Sequence, residues 1–355
     1  MKQWNHGVIG MGAVSRDHIN GILPLPGMRV AAIYDRTPAV LEQAGDRLGI
    51  ADNMRFRDYR TMLESPAVDS VSICTPNFLH YEMVRQAIQS GKPFAVEKPL
   101  SLTTEQAEEL TALAEQAVLP HILCFSYRFM PAARYARWIV QNGYLGELRH
   151  VCVQYHQGWG SDPHKPLTWR FQKELCGYGA LGDLGSHVID LVRFLAGEIE
   201  EISADCGTFI PERARLDGSG TGAVTVDDYA QFMARLAGGI PALFSVTRFA
   251  YGRRNYQRVE LYGSKGGLIY TQDLLHDTLC DKLETCIGDV AFQSNHYSET
   301  PVPVSFQCSQ MEAFYRRLNG DESGLAAGLR DGLVCQRVMD AVARSAASRQ
   351  WERVK

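Results

Sequence analysis

The strongest constraint on this chain is a rhythm. Short apolar runs, "GVIG" (7–10), "MRVAAIYD" (28–35), "VDSVSICT" (68–75), "PFAVEK" (93–98) and "HILCFS" (121–126), alternate with the helically spaced segments "DHINGIL", "AVLEQAGDRLG", "LHYEMVRQAIQSG" and "TTEQAEELTALAEQA". Runs of that length, bounded by Gly, Pro or Asp, read as buried strands. A parallel neighbour is reached only by a crossover, so strands alternating with helices imply a parallel sheet. Residues 1–122 are therefore expected to form a doubly wound α/β domain.

Beyond residue 123 the rhythm changes. "ELRHVCVQYHQG", "IEEISADCGTFI", "DYAQFMARLAGGIPALFSVTRFA", "YQRVELYGSKGGLIYT" and "DVAFQS" show two-residue alternation and Gly turns, with few helices between them. The pattern predicts a largely antiparallel second domain over residues 123–355. "ERARLDGSGTGAV" (212–224) reads as a loop within it, a lid or a subunit contact. "SQMEAFYRRLNG" and "DGLVCQRVMDAVARSAASRQW" read as amphipathic helices that pack back on the first domain.

Composition narrows the function. A length of 355 residues suits two domains, and 45% hydrophobic with 21% charged residues is the balance of an ordinary globular protein. The net charge of −4, with no long run of like charge, argues against nucleic acid as a partner. The nine cysteines are scattered with no C-x-x-C pair, which favours reduced, small hydrophobes over a disulfide framework or a zinc site; no metal is expected. No stretch has the length and apolarity of a signal peptide or a membrane span, so a cytoplasmic protein is expected.

The first strand runs into Gly10-x-Gly12-x-x-Ser15 and then a helix. A dinucleotide fingerprint wants its first two glycines there, one for the tight turn and one for close backbone approach to the pyrophosphate. Ser15 departs from the usual third Gly or Ala. Asp35 closes the second strand, near the ~20-residue spacing of an acid that binds the ribose hydroxyls. The other reading is a plain turn with Asp35 capping the next helix. Arg36 bears on cofactor choice, since arginine there can stack on adenine or meet a ribose phosphate. NAD is the expected cofactor and NADP the alternative.

Two further segments carry chemistry. Ligands of open parallel sheets bind beyond the carboxyl ends of the strands, where "TPN" (75–77) and "EKP" (97–99) stand. Lys98 is thereby aimed at the cofactor crevice, and Pro99 holds it in extended backbone. The alternative is a surface lysine paired with Glu97. In "CGYGALGDLGSHVIDLVRFLAGE" (176–198), Leu184, Val188, Leu191, Val192 and Leu195 form an apolar stripe, while Asp183, His187 and Asp190 share another face. Gly177, Gly179, Gly182 and Gly185 crowd the start of that helix, a costly choice unless backbone must approach something closely.

These segments together resemble the glucose-fructose oxidoreductase / inositol dehydrogenase (Gfo/Idh/MocA) family over nearly the whole chain, most specifically in "EKP" and "DLGSH". The resemblance implies an N-terminal Rossmann domain and a C-terminal α/β domain with a large, mainly antiparallel open sheet, often used for assembly into a homodimer or homotetramer. It implies NAD(P)-dependent oxidation of a carbohydrate or cyclitol hydroxyl. By position, Lys98, Asp183 and His187 match the family's catalytic set. Gly10, Gly12, Ala13, Val14, Asp35, Arg36, Thr75, Pro76, Asn77, His80, Glu97 and Lys98 match its cofactor positions, and Trp169 with Arg170 a pair near nicotinamide and substrate. Arg128, His156 and Trp159 are placed on the substrate side. "WRF…GALGDLGSH" followed by "DCGTFI" and the long loop resembles the family's glycoside-oxidising members.

Oxidising a secondary alcohol sends a hydride to the nicotinamide and a proton to a base. His187 suits the base by its near-neutral pKa, Lys98 would stabilise the developing alkoxide or itself be the base, and Asp183 would orient substrate or histidine. The substrate class expected is a sugar, glycoside, anhydrosugar or inositol. Two alternatives share the fold: an NAD-dependent glycosidase working by transient oxidation, and a non-catalytic nucleotide- or sugar-sensing protein. Lys98, Asp183 and His187 together argue against the sensor, which needs no proton-transfer set.

Overall fold

In the computed structural model, residues 2–288, 296–321 and 324–355 are described. The chain divides into two units, residues 1–125 with 308–333 and residues 126–307 with 334–355. The sequence reading drew the boundary after residue 122; the first unit runs slightly further and takes in a late segment.

The first unit is built on six parallel strands: β1 Trp4–Ile9, β2 Met28–Tyr34, β3 Arg55–Phe56, β4 Ser70–Ile73, β5 Phe94–Glu97 and β6 His121–Cys124. Their order is β3-β2-β1-β4-β5-β6. Strand order reverses between β1 and β4, which is where such sheets open a crevice for a ligand. Helices α1 Ser15–Ile22, α2 Pro38–Leu48, α3 Tyr59–Glu64, α4 Asn77–Gln89 and α5 Thr104–Ala117 make the connections. Their ends follow local chemistry. Pro38 opens α2, Gly49 closes it at φ +65°, and the Thr103 hydroxyl caps α5 by accepting from the Gln106 N–H. β3 and α3 were not foreseen, because a two-residue strand leaves no periodic signal. The central strands are buried on both faces, with Val8, Ile9, Ile33, Val71, Ile73 and Val96 inaccessible. Three polar side chains, His6, Ser70 and Ser72, lie inaccessible among them.

The second unit holds α6 Pro131–Gln141, β7 Leu148–His156, α7 Lys173–Cys176, α8 Ser186–Ala196, β8 Ile199–Gly207, β9 Glu212–Ala214, β10 Thr221–Ala223, β11 Tyr229–Leu236, β12 Ile240–Thr247, β13 Tyr256–Gly263, β14 Gly266–Leu275, β15 Thr278–Ile287, β16 Ser298–Glu299 and β17 Glu352–Arg353. Nine strands make one sheet, ordered β16-β15-β14-β13-β7-β12-β11-β8-β17. Its pairings are antiparallel except for β12 with β7, as the two-residue alternation predicted. In β11, Ala230, Phe232, Ala234 and Leu236 face the interior while Gln231, Met233 and Arg235 are exposed.

Two expectations change. Residues 212–224 are not a plain loop: β9 and β10 pair antiparallel as a hairpin, and Leu167 N–H donates to the Ala214 carbonyl at 2.7 Å, tying the hairpin to residues 160–171. The strand expected at "DVAFQS" lies outside the described residues. Of the late helices, α9 Gln310–Leu318 falls within the first unit and α10 Leu329–Ser348 begins in the first unit's last residues and continues in the second. No helix among the described residues is long and apolar enough to cross a membrane.

Candidate active site

The glycine turn of the first unit has two different reasons for its two glycines. Gly10 sits at φ +90°, and a Cβ there would stand 2.9 Å from the Cys74 carbonyl oxygen. Packing alone demands that glycine. A Cβ on Gly12 would meet no protein atom within 4 Å, so nothing in the protein's own packing requires it; a close-lying dinucleotide would. Ser15 is accommodated by donating its hydroxyl to the Gly12 carbonyl at 2.7 Å. Ala13 and Val14 lead from the turn into α1. Asp35 accepts from the Met11 N–H at 3.0 Å and the Thr37 N–H at 2.8 Å, which fixes the carboxylate beside the turn; Arg36 is exposed next to it. The glycine pair, the open Gly12 and the anchored acid fit a pyridine nucleotide.

At the strand ends, Pro76 precedes the first turn of α4 and Asn77 opens it. His80 is fully buried between two carbonyls, with Nδ1 2.7 Å from Pro99 O and Nε2 2.8 Å from Thr75 O. It therefore ties the end of β4 to the residue behind Lys98. Burial lowers its pKa, against the pull of those carbonyls. The Lys98–Pro99 peptide is cis. Glu97 is buried against His18, Oε1 to Nε2 3.0 Å, while Lys98 is half-buried. The pairing of Glu97 is thus with His18 of α1, a partner not foreseen.

In the second unit, Asp183 lies in a π-helical turn, Leu181–Gly185, that leads directly into α8, whose first turn carries His187. Turns of this kind recur at functional sites. Asp227 organises the approach: its carboxylate accepts from Gly179 N–H at 2.8 Å and Leu181 N–H at 2.7 Å, and its carbonyl from Ala180 N–H at 2.9 Å. Burial raises its pKa, opposed by those N–H groups. Around His187 stand Tyr127, ring centroids 4.5 Å apart, and Tyr155 at 6.2 Å. The two phenols lie 2.8 Å apart, and Asn255 Oδ1 accepts from Tyr155 at 2.6 Å, Tyr127 at 3.1 Å and Gln157 Nε2 at 2.8 Å. Burial first, then Tyr127 and Asp183, keeps the Tyr155 hydroxyl far above its ordinary pKa, so it stays protonated.

Residues 4–121 match the family described as "Oxidoreductase family, NAD-binding Rossmann fold", and residues 133–269 match the "GFO/IDH/MocA C-terminal domain". The chain belongs to the Gfo/Idh/MocA oxidoreductases. A levoglucosan dehydrogenase of Pseudarthrobacter phenanthrenivorans is 33% identical over 293 residues, covering 77% of this chain and 75% of the relative. An oxidoreductase domain protein of Kribbella flavida has the same fold at TM-score 0.89 and 31% identity, each chain fully covered. A levoglucosan dehydrogenase solved with NADH superposes at TM-score 0.87 and 27% identity over the full length of both chains. The first unit is the Gfo/Idh/MocA NAD-binding domain, and the enzyme is an oxidoreductase.

Against that family frame, the remaining candidates divide. Trp169 and Arg170 form a short turn with the guanidinium 4.3 Å over the indole, and Arg248 donates to the Arg170 carbonyl at 3.2 Å. Trp159 packs edge-on to Phe171 and carries the Lys165 ammonium at 4.4 Å. His156 pairs with Ser245 at 3.1 Å; burial, then Arg253, lowers its pKa. Arg128 is a correction. It is buried and bonded to Asp190 through Nε at 2.7 Å and Nη2 at 2.5 Å. Its guanidinium holds α8 to the preceding segment instead of facing a substrate, and Asp190 leaves the polar face assigned to it. Sequence reasoning missed Tyr127, Tyr155, Gln157, Asn255 and Asp227. A signal existed: Tyr155 and Gln157 continue the inward face of Val151 and Val153, where polar groups stand out.

Proposed function

We propose that this enzyme oxidises a secondary hydroxyl of a sugar, glycoside or anhydrosugar with NAD. The observation that carries the proposal is the pairing of Asp183 and His187 across a π-helical turn, beside a wall of hydroxyl and amide groups from Tyr127, Tyr155, Gln157 and Asn255. Such a wall offers alternating donors and acceptors, which is what a polyol presents in return. The 33% identity to a levoglucosan dehydrogenase supports the carbohydrate class.

The dinucleotide would be held by Gly10, Gly12, Ala13, Val14, Asp35 and the Thr75–Asn77 turn, with Trp169 and Arg170 toward the nicotinamide. Bound NAD supplies a hydride acceptor. His187 receives the hydroxyl proton, Asp183 orients the reacting group, and Lys98 offers a cation to the alkoxide as charge develops. Asp35, anchored at the turn, favours the ribose hydroxyls of NAD over a ribose phosphate, which it would repel.

The test is absorbance at the reduced-nicotinamide band with NAD or NADP and a panel of anhydrosugars, glucosides, aldoses and inositols. Turnover of one sugar class with NAD is the expected result. Release of free sugar without net reduced cofactor would replace the dehydrogenase with a glycosidase.

A further inference from the structure

Behind Glu97 runs a buried file of polar side chains in the core of the first unit. Ser70 Oγ lies 2.8 Å from His6 Nδ1, His6 Nε2 2.8 Å from Ser72 Oγ, Ser72 Oγ 2.8 Å from His18 Nδ1, and His18 Nε2 3.0 Å from Glu97 Oε1. His6, Ser70, Ser72 and His18 are all inaccessible and Glu97 is 8% exposed. A carboxylate in that position requires a donor, so His18 Nε2 carries a proton whatever else the file does.

The groups facing His18 come from every element around it: Asp17 on α1, His6 on β1, Ser72 and Cys74 at β4, Glu97 on β5, Cys124 on β6, and the Gln310 amide of α9 at 3.5 Å. Burial disfavours the charged ring, but Cys74 and Cys124 outweigh it and hold the His18 pKa well above that of a free imidazole. His6 goes the other way, lowered to about 3 by burial and then by His18. The hydrogen bonds follow. A charged His18 donates from both nitrogens, to Glu97 and to Ser72; Ser72 then donates to His6 Nε2, and the single proton of His6 sits on Nδ1, facing Ser70.

We propose that His18 is a positioning residue of the reaction centre, an imidazolium that neutralises and orients Glu97 so that the carboxylate directly before Lys98 does not hold the lysine charge in check. The inference rests on the reading of Lys98 as the cation of the reaction. Without a counter-charge, Glu97 would favour the ammonium form of its neighbour. With His18 opposite, the pair presents little net charge, and Lys98 can exchange a proton nearer to neutral pH. His18, Glu97 and Cys124 also bring three ligand atoms within 4.8 Å of one another, so a bound metal ion is the competing occupant.

Nitrogen-15 NMR of the histidine rings tests the charge state without substrate. Two protonated nitrogens on His18 and an Nδ1–H tautomer on His6 at neutral pH are expected. One protonated nitrogen on His18, or a stoichiometric metal in the purified protein, overturns the proposal. The second arm compares wild type with His18→Gln, which keeps a donor to Glu97 but removes the charge. Acetylation of Lys98 across pH, read by mass spectrometry on the protein without substrate, should require a pH about one unit higher in His18→Gln. The basic limb of the pH–rate profile should move with it, with kcat changing more than KM. An unmoved Lys98 overturns the proposal even if the variant loses turnover. Failure of the sugar-oxidation reading would appear only in the substrate panel and leaves both of these readouts interpretable.

Discussion

A Cβ on Gly179 would stand 1.9 Å from the carbonyl oxygen of Asp227. The two backbones touch, and three N–H groups of the approach to Asp183 and His187 bond to Asp227. Gly179→Ala must therefore push the site apart. The expected cost is about 1–3 kcal/mol by urea denaturation, with kcat falling at least about tenfold because the reacting groups are displaced. Unchanged kinetics would show that the contact does not position the site.

Gly12 predicts the reverse pattern. Its missing Cβ meets no protein atom, so Gly12→Val should leave the melting temperature of the protein without nucleotide nearly unchanged. Affinity for NAD should fall at least about tenfold, because the side chain occupies space needed for close approach of the pyrophosphate. Calorimetric titration beside a melting curve separates the two.

The buried pair of Arg128 and Asp190 predicts a large stability effect. Asp190→Ala leaves a guanidinium uncompensated in the interior and should cost about 3–5 kcal/mol. Chemical denaturation measures it. A cost under about 1 kcal/mol would mean that solvent reaches the pair.

His6 predicts acid sensitivity. Its pKa is about 3 in the fold against 6.5 for a free ring, so between those values the unfolded chain binds a proton that the folded one refuses. Stability is then lost as pH falls from 6.5 toward 3, at up to about 1.4 kcal/mol per pH unit for one such group. His80, also lowered by burial, acts in the same direction. His6→Asn should flatten the decline by one proton when urea midpoints at pH 7 and pH 5 are compared.

The hairpin of β9 and β10 predicts a local effect. Arg213 is buried, donates to the carbonyls of Gly160 at 2.6 Å, Asp162 at 2.7 Å and Lys165 at 3.1 Å, and lies 4.2 Å over the Phe171 ring. Arg213→Met should release those carbonyls, so amide exchange in residues 160–171 speeds up by about tenfold or more. KM for the sugar should rise before kcat falls, because Trp159, Trp169 and Arg170 ride on this segment.

What the sequence made legible was local. The glycine turn, Asp35, the strand ends at Thr75 and Lys98 and the Asp183–His187 spacing could be read because their reasons lie within a few residues. What escaped depends on distant partners. Arg128 and Asp190 are 62 positions apart, Asn255 and Tyr127 are 128 apart, and His18 and Glu97 are 79 apart. No periodicity records such pairings. The hairpin at 212–224 was hidden for another reason, since three-residue strands around a Gly-rich tip carry the composition of a loop.

Glu97 and Lys98 are consecutive, yet one side chain is buried against His18 and the other is half-buried. The pleat of β5 separates them, and a pleat has only two sides. Inserting or deleting a single residue in this four-residue strand would exchange their places, leaving an ammonium against the His18 ring and a carboxylate at the strand mouth. Point substitutions can therefore retune this enzyme gradually, but length changes in β5 can only invert the polarity of its centre.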